Sequence, residues 1–175
     1  MPTAFASTLL QRLTDAYSIK IETRDHPDAL LHRTTVWVAV DQATGAVYVR
    51  SVRGPQGNWY RRLLANPDGA MALSEERVGV KAVPATPDEI NRVSDLFRRK
   101  YANDQHMLAI QRPEVVPATF QLVPGEHAVV AYGADNTGID LMNVGDGGYY
   151  HTDWSSFLRR WGYFDQMMLV ITPRA

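Results

Sequence analysis

Six short segments between residues 18 and 124 have the residue patterns of β-strands, and this succession constrains the fold more than any other feature of the chain. Each segment either alternates apolar and polar residues or is rich in β-branched residues. Turn-forming residues separate two neighbouring pairs of segments, which predicts two hairpins. Since strands and helices do not alternate regularly, we predict a mainly β (α+β) fold, a six-stranded antiparallel barrel with flanking helices. The six segments are SIKIE, RTTVWVAVD, AVYVRSVR, GAMALS, RVGVKAV and ATFQLVP.

Three further segments have helical periodicity and account for the flanking helices. Apolar residues recur at helical spacing between Phe5 and Tyr17, which predicts an opening amphipathic helix. A second helix is predicted over NWYRRLLANP, ended by Pro67. The third, TPDEINRVSDLFRRKYAND, begins with a capping box formed by Thr86 and Glu89.

The last part of the chain, residues 125–175, differs in composition from the barrel segment, residues 1–124. GADNTG and GDGG are typical of loops, TDWSSFLRRWG predicts a short helix capped by Thr152 or Asp153, and QMMLVIT predicts a closing strand. We expect this C-terminal extension either to cover the open side of the barrel or to contact a partner subunit. In the second case the contact would include three aromatic residues, Trp154, Phe157 and Trp161.

The composition excludes several classes of partner. The formal net charge is -1 and the pI is about 6.5, so no overall positive charge attracts nucleic acid or an anionic membrane. Cysteine is absent, which excludes disulfides and thiolate chemistry and fits a reducing compartment. There is no leader-like start and no apolar run long enough for a membrane span. We therefore expect a cytoplasmic protein with no nucleic-acid or membrane partner.

Residues that would bind a metal or form a covalent intermediate show no suitable spacing. The five histidines are scattered along the chain, and none has a neighbour at a spacing that a metal site requires. The chain contains no G-x-S-x-G sequence. We predict neither a metal site nor a catalytic nucleophile.

Basic residues concentrate where the third strand segment ends, and they predict a site for an anion. Alternation sends Arg50 and Arg53 to opposite faces unless the strand ends or bulges near Gly54. Ser51 adds a hydroxyl at the same strand end. The backbone N–H groups that follow, at the start of the helix with Trp59, favour an anion such as phosphate.

A second set of donors lies at the head of the preceding strand segment, where Arg33, Thr34 and Thr35 combine a guanidinium with two hydroxyls. Pairing of these two segments as a hairpin would place both sets side by side, and we predict that they converge on one cleft. Two simpler interpretations stay open. The arginines could form a solvated rim with surface ion pairs, and Trp59 could either stack on a ligand or close the end of the barrel.

Three stretches, RTTVWVAVD, VYVRSVRGPQGNWYRRLLANP and VGVKAVPAT, resemble a bacterial family of unknown function. That family is similar to the deazaflavin-dependent nitroreductases and, more distantly, to the flavin-binding split β-barrels. The resemblance covers residues 15–124 and implies a split β-barrel for this part of the chain. It also implies a phosphate-bearing cofactor, FMN or a deazaflavin coenzyme. The residues implied to contact it are Arg33, Thr34, Thr35, Arg50, Ser51, Arg53 and Gly54, with Trp59 alongside.

One segment departs from the deazaflavin pattern. Deazaflavin enzymes usually carry a Gly-Arg-Lys-Ser/Thr-Gly turn before the Arg-Thr strand, whereas this chain has TRDHPDALLHR there. Asp25 and Asp28 bring negative charge to that turn, and both glycines are absent. A polyanionic cofactor tail would be disfavoured at this turn.

Two functions follow from the resemblance. The first is a flavin- or deazaflavin-dependent oxidoreductase with a small-molecule substrate, in which the cofactor supplies the hydride chemistry. The second is a non-catalytic binding module, namely a cofactor carrier, a small-ligand sensor or a dimerisation scaffold. Split-barrel relatives often dimerise with cofactor sites near the subunit boundary, so the resemblance also implies a homodimer.

Overall fold

A computed structural model describes residues 4–26, 29–74, 76–125, 129–143 and 149–155 of the chain. These residues belong to two compact units. The larger unit is Ala4–Gly125, and the smaller one contains the described residues that follow Gly125.

The described residues of the larger unit form seven strands, four α-helices and one 3₁₀ turn. In chain order they are α1 (Ser7–Asp15), β1 (Ile19–Thr23), β2 (His32–Val36), β3 (Val38–Asp41), β4 (Ala46–Arg50), the 3₁₀ turn Gly54–Gln56, α2 (Asn58–Ala65), β5 (Asp68–Leu73), β6 (Glu76–Pro84), α3 (Pro87–Lys100), α4 (Met107–Ile110) and β7 (Thr119–Pro124).

The seven strands form one antiparallel sheet in the order β2-β1-β5-β6-β7-β4-β3. The two edge strands, β2 and β3, are consecutive in the chain, and only Trp37 separates them. The two edges of the sheet therefore meet at that residue. The sheet curls into a half-barrel in which β2 and β3 remain edges, rather than into a closed barrel.

The prediction of six strands is wrong because RTTVWVAVD forms two strands instead of one. Its first half, β2, pairs with β1, and its second half, β3, pairs with β4. The expected pairing of the Arg33 segment with the Arg50 strand is wrong for the same reason. The hairpins β3–β4 and β5–β6 are confirmed, as is the mainly β character of the fold.

Apolar side chains form two separate cores on the two faces of the sheet. The inner core fills the half-barrel, and the outer core lies against α3 and α4. Full burial of one such side chain contributes roughly 1.5–3 kcal/mol. On the outer face of β1, β2 and β6 the side chains include Lys20, Glu22, Arg33 and Arg77, which are charged. Prominent residues of the inner core are Leu13, Ile21, Val49, Leu63 and Phe120. Those of the outer core are Tyr48, Val93, Phe97 and Ile110.

Helix α3 is held at both ends by hydrogen bonds. At its start the predicted capping box is confirmed, since Glu89 N donates to Thr86 Oγ1 at 3.3 Å and Thr86 N donates to Glu89 Oε2 at 2.7 Å. At its end Lys100 Nζ donates to the carbonyl oxygens of Leu13 and Val38, both at 2.9 Å. Because Val38 begins β3, this second contact fixes α3 beside the point where the edges of the sheet meet.

The described residues of the smaller unit form three strands, β8 (Val129–Ala134), β9 (Gly138–Asn143) and β10 (Tyr149–Asp153). They make an antiparallel sheet in the order β10-β9-β8. The sequence interpretation did not anticipate these strands, although GADNTG does contain the turn between β8 and β9. Thr152 and Asp153 end β10, whereas most of the predicted helix, with Phe157 and Trp161, and the predicted closing strand lie outside the described residues.

Candidate functional site

A depression on the outer face of the larger unit brings together basic side chains of three strands. A small residue helps to leave the space for it, because on this face Ala72 of β5 lies between Lys20 of β1 and Arg77 of β6. Its volume is about 520 Å³, within the range of small-molecule sites. We call it the outer-face depression. It is lined by Ser18, Ile19, Lys20, Arg33, Ala72, Leu73, Ser74, Glu76 and Arg77.

A buried carboxylate organises two arginines at the outer-face depression. Glu22 is 1% exposed, and it accepts hydrogen bonds from Arg33 Nε at 2.9 Å and from Arg77 Nε at 2.6 Å. Burial acts to raise the pKa of Glu22, but the hydrogen bonds from Arg77 and Arg33 outweigh it and hold the pKa below its ordinary value. Glu22 is therefore ionised at neutral pH. It fixes both guanidinium groups and leaves further N–H donors on each of them.

The charge of the outer-face depression is positive. Three basic side chains, Lys20, Arg33 and Arg77, meet two acidic ones, Glu22 and Glu76. The charge of Glu76 is offset further by an ion pair with Arg12 of α1. Within the described part of the chain, no carboxylate forms an ion pair with Lys20. An anion is the ligand that this balance favours.

The predicted residues Arg33, Thr34 and Thr35 all lie on β2 but do not share one face. Arg33 bonds to Glu22, and Thr35 Oγ1 accepts a hydrogen bond from Lys20 Nζ, so both lie on the outer face. Thr34 lies opposite Ile21 of the inner core in the strand register. Two of these three predicted residues therefore stand at or beside the outer-face depression, and the third points inward.

Arg50 lies elsewhere, enclosed beneath α3 and α4 with 2% of its surface exposed. Its Nε donates to Thr119 Oγ1 at 2.8 Å, Nη1 to the carbonyl oxygen of Ile110 at 3.2 Å, and Nη2 to Ser94 Oγ at 3.0 Å. The guanidinium carbon lies 5.3 Å from the ring centre of Phe97. Burial lowers the pKa of Arg50 to about 10, so it stays protonated at neutral pH. The structure does not bring this guanidinium to the outer-face depression.

The residues after Arg50 form a tight turn into α2. Ser51 is 1% exposed, and its Oγ is buried without a hydrogen-bond partner. Gly54 has a φ of +57°, and a Cβ at that position would lie 2.8 Å from the carbonyl oxygen of Glu114. A Cβ at Gly57 would lie 2.1 Å from Ser51 Oγ. The positive φ and the nearby backbone at Gly54 therefore require glycine there, whereas a Cβ at Gly57 would displace the Ser51 hydroxyl. Arg53, which directly precedes Gly54, is exposed.

Trp59, the remaining predicted residue, faces the inner core. It is 7% exposed, and its ring centre lies 6.2 Å from that of Tyr60 and 6.4 Å from that of Phe120. These contacts correspond to the simpler interpretation, in which Trp59 covers the end of the barrel, here a half-barrel, instead of stacking on a ligand.

The sequence interpretation missed Lys20, Glu22 and Arg77. A local signal existed, because each occupies a polar position of an alternating strand segment, SIKIE or RVGVKAV. What brings them together is the order β2-β1-β5-β6, which depends on pairing between distant segments. Local alternation alone does not predict that order.

No group of three or more His, Asp or Glu side chains is arranged to hold a metal ion in the described part of the chain. None of the helices given above is long and apolar enough to cross a membrane.

The fold and the site define a curled, antiparallel half-barrel protein with a basic depression on its outer face. The chain belongs to a bacterial family described as "Uncharacterized protein conserved in bacteria (DUF2255)", whose sequence profile matches residues 9–122. This confirms the resemblance to a bacterial family of unknown function. None of the curated proteins matches the chain.

The chain is similar to three solved structures at low sequence identity. ChuZ from Campylobacter jejuni has 11% identity and a TM-score of 0.53 over 85% of this chain and 62% of its own. HutZ, the heme storage protein from Vibrio cholerae, has 11% identity and a TM-score of 0.48 over 70% of this chain and 92% of its own. A candidate 5-nitroimidazole antibiotic resistance protein from Bacteroides thetaiotaomicron has 14% identity and a TM-score of 0.47 over 70% of this chain and 81% of its own. At such low identity, the similarity to ChuZ shows a shared fold and nothing more.

Proposed function

We propose that this protein binds a phosphate-bearing flavin or deazaflavin cofactor in the outer-face depression and acts with it as an oxidoreductase on a small-molecule substrate. The observation that carries the proposal is the pair of arginines, Arg33 and Arg77, that the buried Glu22 holds at one site. When bound, such a cofactor supplies the hydride chemistry itself. The residues of this chain bind and orient it.

The donors of the outer-face depression suit a phosphate group. Guanidinium N–H groups, here those of Arg33 and Arg77, form strong charge-assisted hydrogen bonds to phosphate oxygens. Lys20 adds an ammonium group, and Ser18 and Ser74 add hydroxyls to the lining. The excess of positive charge attracts a dianion, and the volume of about 520 Å³ suits a ligand of cofactor size.

The other residues predicted for cofactor binding have supporting roles in this proposal. Arg50 holds α3 and α4 on the sheet through its hydrogen bonds. Ser51 and Gly54 shape the turn that starts α2, Trp59 packs in the inner core, and Arg53 remains exposed to a ligand or partner at that turn.

The second function, a non-catalytic binding module, is supported by the position of Arg50. In split-barrel relatives the residue set to which Arg50 corresponds contacts the cofactor's phosphate, whereas Arg50 is here enclosed by internal hydrogen bonds. The outer-face depression keeps Arg33 and Arg77 as donors for an anion but lacks a contribution from Arg50. Such a site would serve a carrier, a sensor or a dimerisation scaffold as well as it would serve an enzyme.

A titration tests the site. The purified protein is titrated with FMN, with a deazaflavin coenzyme and with inorganic phosphate, and binding is measured by calorimetry. We expect Arg77→Gln to weaken FMN binding about tenfold or more, because a charge-assisted hydrogen bond contributes ~1.5–3 kcal/mol. Lys81→Gln is the matched control, since Lys81 is an exposed cation of the same strand outside the depression.

The outcomes separate the two functions. Equal FMN affinity in Arg77→Gln and the wild type would remove the outer-face depression from the site. A bound cofactor that, once reduced, passes electrons to small-molecule acceptors supports the oxidoreductase. A bound cofactor that reduces none of them supports the binding module.

A further inference from the structure

An aromatic cluster continues the row of residues that forms the outer-face depression. In the register of β1 and β2, Glu22 lies opposite Arg33, and Lys20 lies opposite Thr35. Trp37 follows two residues after Thr35, and its ring packs against the outer core. Arg33, Thr35 and Trp37 therefore lie in line along one face of the sheet.

The cluster consists of three rings, those of Tyr17, Trp37 and Tyr101. The Trp37 and Tyr101 rings stack with their centres 4.1 Å apart at an interplanar angle of 6°. Tyr17 meets Trp37 edge to face at 6.2 Å and Tyr101 at 5.5 Å. We call these three residues the aromatic step.

The aromatic step is rigid, yet part of it is exposed. The hydroxyl of the buried Tyr101 lies 2.8 Å from the carbonyl oxygen of Tyr17 and 3.0 Å from that of Val38. Tyr17 OH donates to Asp104, which fixes the outermost ring. Tyr17 nevertheless remains 59% exposed. A ring held in one position and left open to solvent is ready to stack on a planar ligand, with little loss of side-chain entropy.

The spacing between charge and rings restricts the ligand. Trp37 lies four positions after Arg33 and one residue past the end of β2, and at ~3.3 Å per residue this is about 13 Å. Ser18, the neighbour of Tyr17, already lines the depression. A ligand whose anionic group binds Arg33 and Arg77 would reach the aromatic step with a ring joined to that group by a short chain.

We propose that the outer-face depression and the aromatic step beside it together take a planar aromatic ring system with an anionic arm. The arm binds Arg33 and Arg77 in the depression, and the ring binds Tyr17 and Trp37 of the aromatic step. This inference rests on the proposed function and adds the orientation of the ligand. The same depression without the aromatic step would bind a phosphate or a carboxylate regardless of what it is attached to.

Substitution of Tyr17 tests the orientation with little disturbance of the fold, because Tyr17 is exposed. FMN, its deazaflavin counterpart and inorganic phosphate serve as probes. We expect Tyr17→Ser to weaken FMN about tenfold, the effect of losing one stacking contact, and to leave phosphate affinity unchanged. Tyr17→Phe is the matched control, since it keeps the ring and loses only the hydroxyl that binds Asp104. Comparison of FMN with the deazaflavin identifies which ring system is preferred.

Each result decides the inference. Loss of FMN affinity in Tyr17→Ser, with unchanged phosphate binding and with Tyr17→Phe like the wild type, supports it. Equal FMN affinity in Tyr17→Ser and the wild type overturns it and leaves the proposed phosphate site intact. An equal loss of FMN and phosphate affinity in Tyr17→Ser also overturns it, because the loss is then not specific to the ring. A wild-type protein that binds neither FMN nor phosphate overturns the proposed function together with the inference.

Discussion

Arg33 and Arg50 both project from the outer face of the sheet, but their surroundings differ. The Arg33 side chain is 58% exposed and pairs with one carboxylate. Arg50 is 2% exposed and bonds to neutral oxygens of Thr119, Ser94 and Ile110. A buried polar group that loses its partner costs more than an exposed ion pair contributes. Arg50 therefore acts on stability, whereas Arg33 remains available to a ligand.

Substitution of Arg50 separates these two roles. We expect Arg50→Met to lower the free energy of unfolding by roughly 2–4 kcal/mol, because the Ile110 carbonyl and the hydroxyl oxygens of Ser94 and Thr119 lose the donor from which they accept inside the protein. Phosphate affinity at the outer-face depression should stay unchanged in the folded variant. Urea unfolding and calorimetry measure the two quantities. Arg53→Met is the control, with an expected change below about 0.5 kcal/mol, and equal stability of both variants would contradict the structural role of Arg50.

Glu22 predicts a specific dependence of stability on pH. Its pKa in the folded protein lies below the ordinary value, because the bonds from Arg77 and Arg33 outweigh burial. A lowered pKa stabilises the fold above the unfolded value of ~4.3, and that contribution is lost as the pH falls through the folded pKa. We expect the wild type to exceed Glu22→Gln in unfolding free energy at pH 7, with a smaller difference at pH 3. Urea unfolding at both pH values measures this, and a difference that did not change with pH would refute it.

At the level of elements, local pattern predicted the segments well and their partners less well. Alternation and capping placed the two hairpins and the start of α3 correctly, because these features depend on neighbouring residues. The break at Trp37 was missed, since RTTVWVAVD is one uninterrupted β-branched run and only the curl of the whole sheet divides it. Local pattern also singled out Arg33 and Thr35, which lie at or beside the outer-face depression. It did not single out Glu22 and Arg77, which only the order of the paired strands brings there.

The turn between β4 and α2 predicts a coupled pair of substitutions. Gly57→Ala would drive its Cβ into Ser51 Oγ, and we expect it to destabilise the fold by about 1–3 kcal/mol, as overpacking does. Ser51→Ala alone should be nearly neutral, because the hydroxyl that it removes has no partner. In the double variant the nearest Ser51 atom is the Cβ at 3.3 Å, so most of the loss should be recovered. A double-mutant cycle measures this coupling, and additive effects would rule out the steric cause.

At the level of the whole molecule, both cores of the larger unit are built from its own residues. The inner core runs from Phe5 to Leu122 in the chain, and the outer core lies within the same limits. Among the described residues, those that line the outer-face depression likewise lie between Ser18 and Arg77. A unit with its own core and its own site has what an independently folding domain requires.

Shortening the chain after Gly125 tests this independence. We expect residues 1–125 to fold, to unfold cooperatively and to bind phosphate with the affinity of the full chain. Circular dichroism, thermal unfolding and calorimetry check these three properties, and light scattering gives the mass in solution. If the shortened chain does not fold, the extension covers apolar surface that the larger unit needs. If it folds but loses an oligomeric state that the full chain has, the extension is an assembly element. An unchanged number of subunits would remove the extension from assembly, because any contact between subunits would then have to be made by residues 1–125 alone.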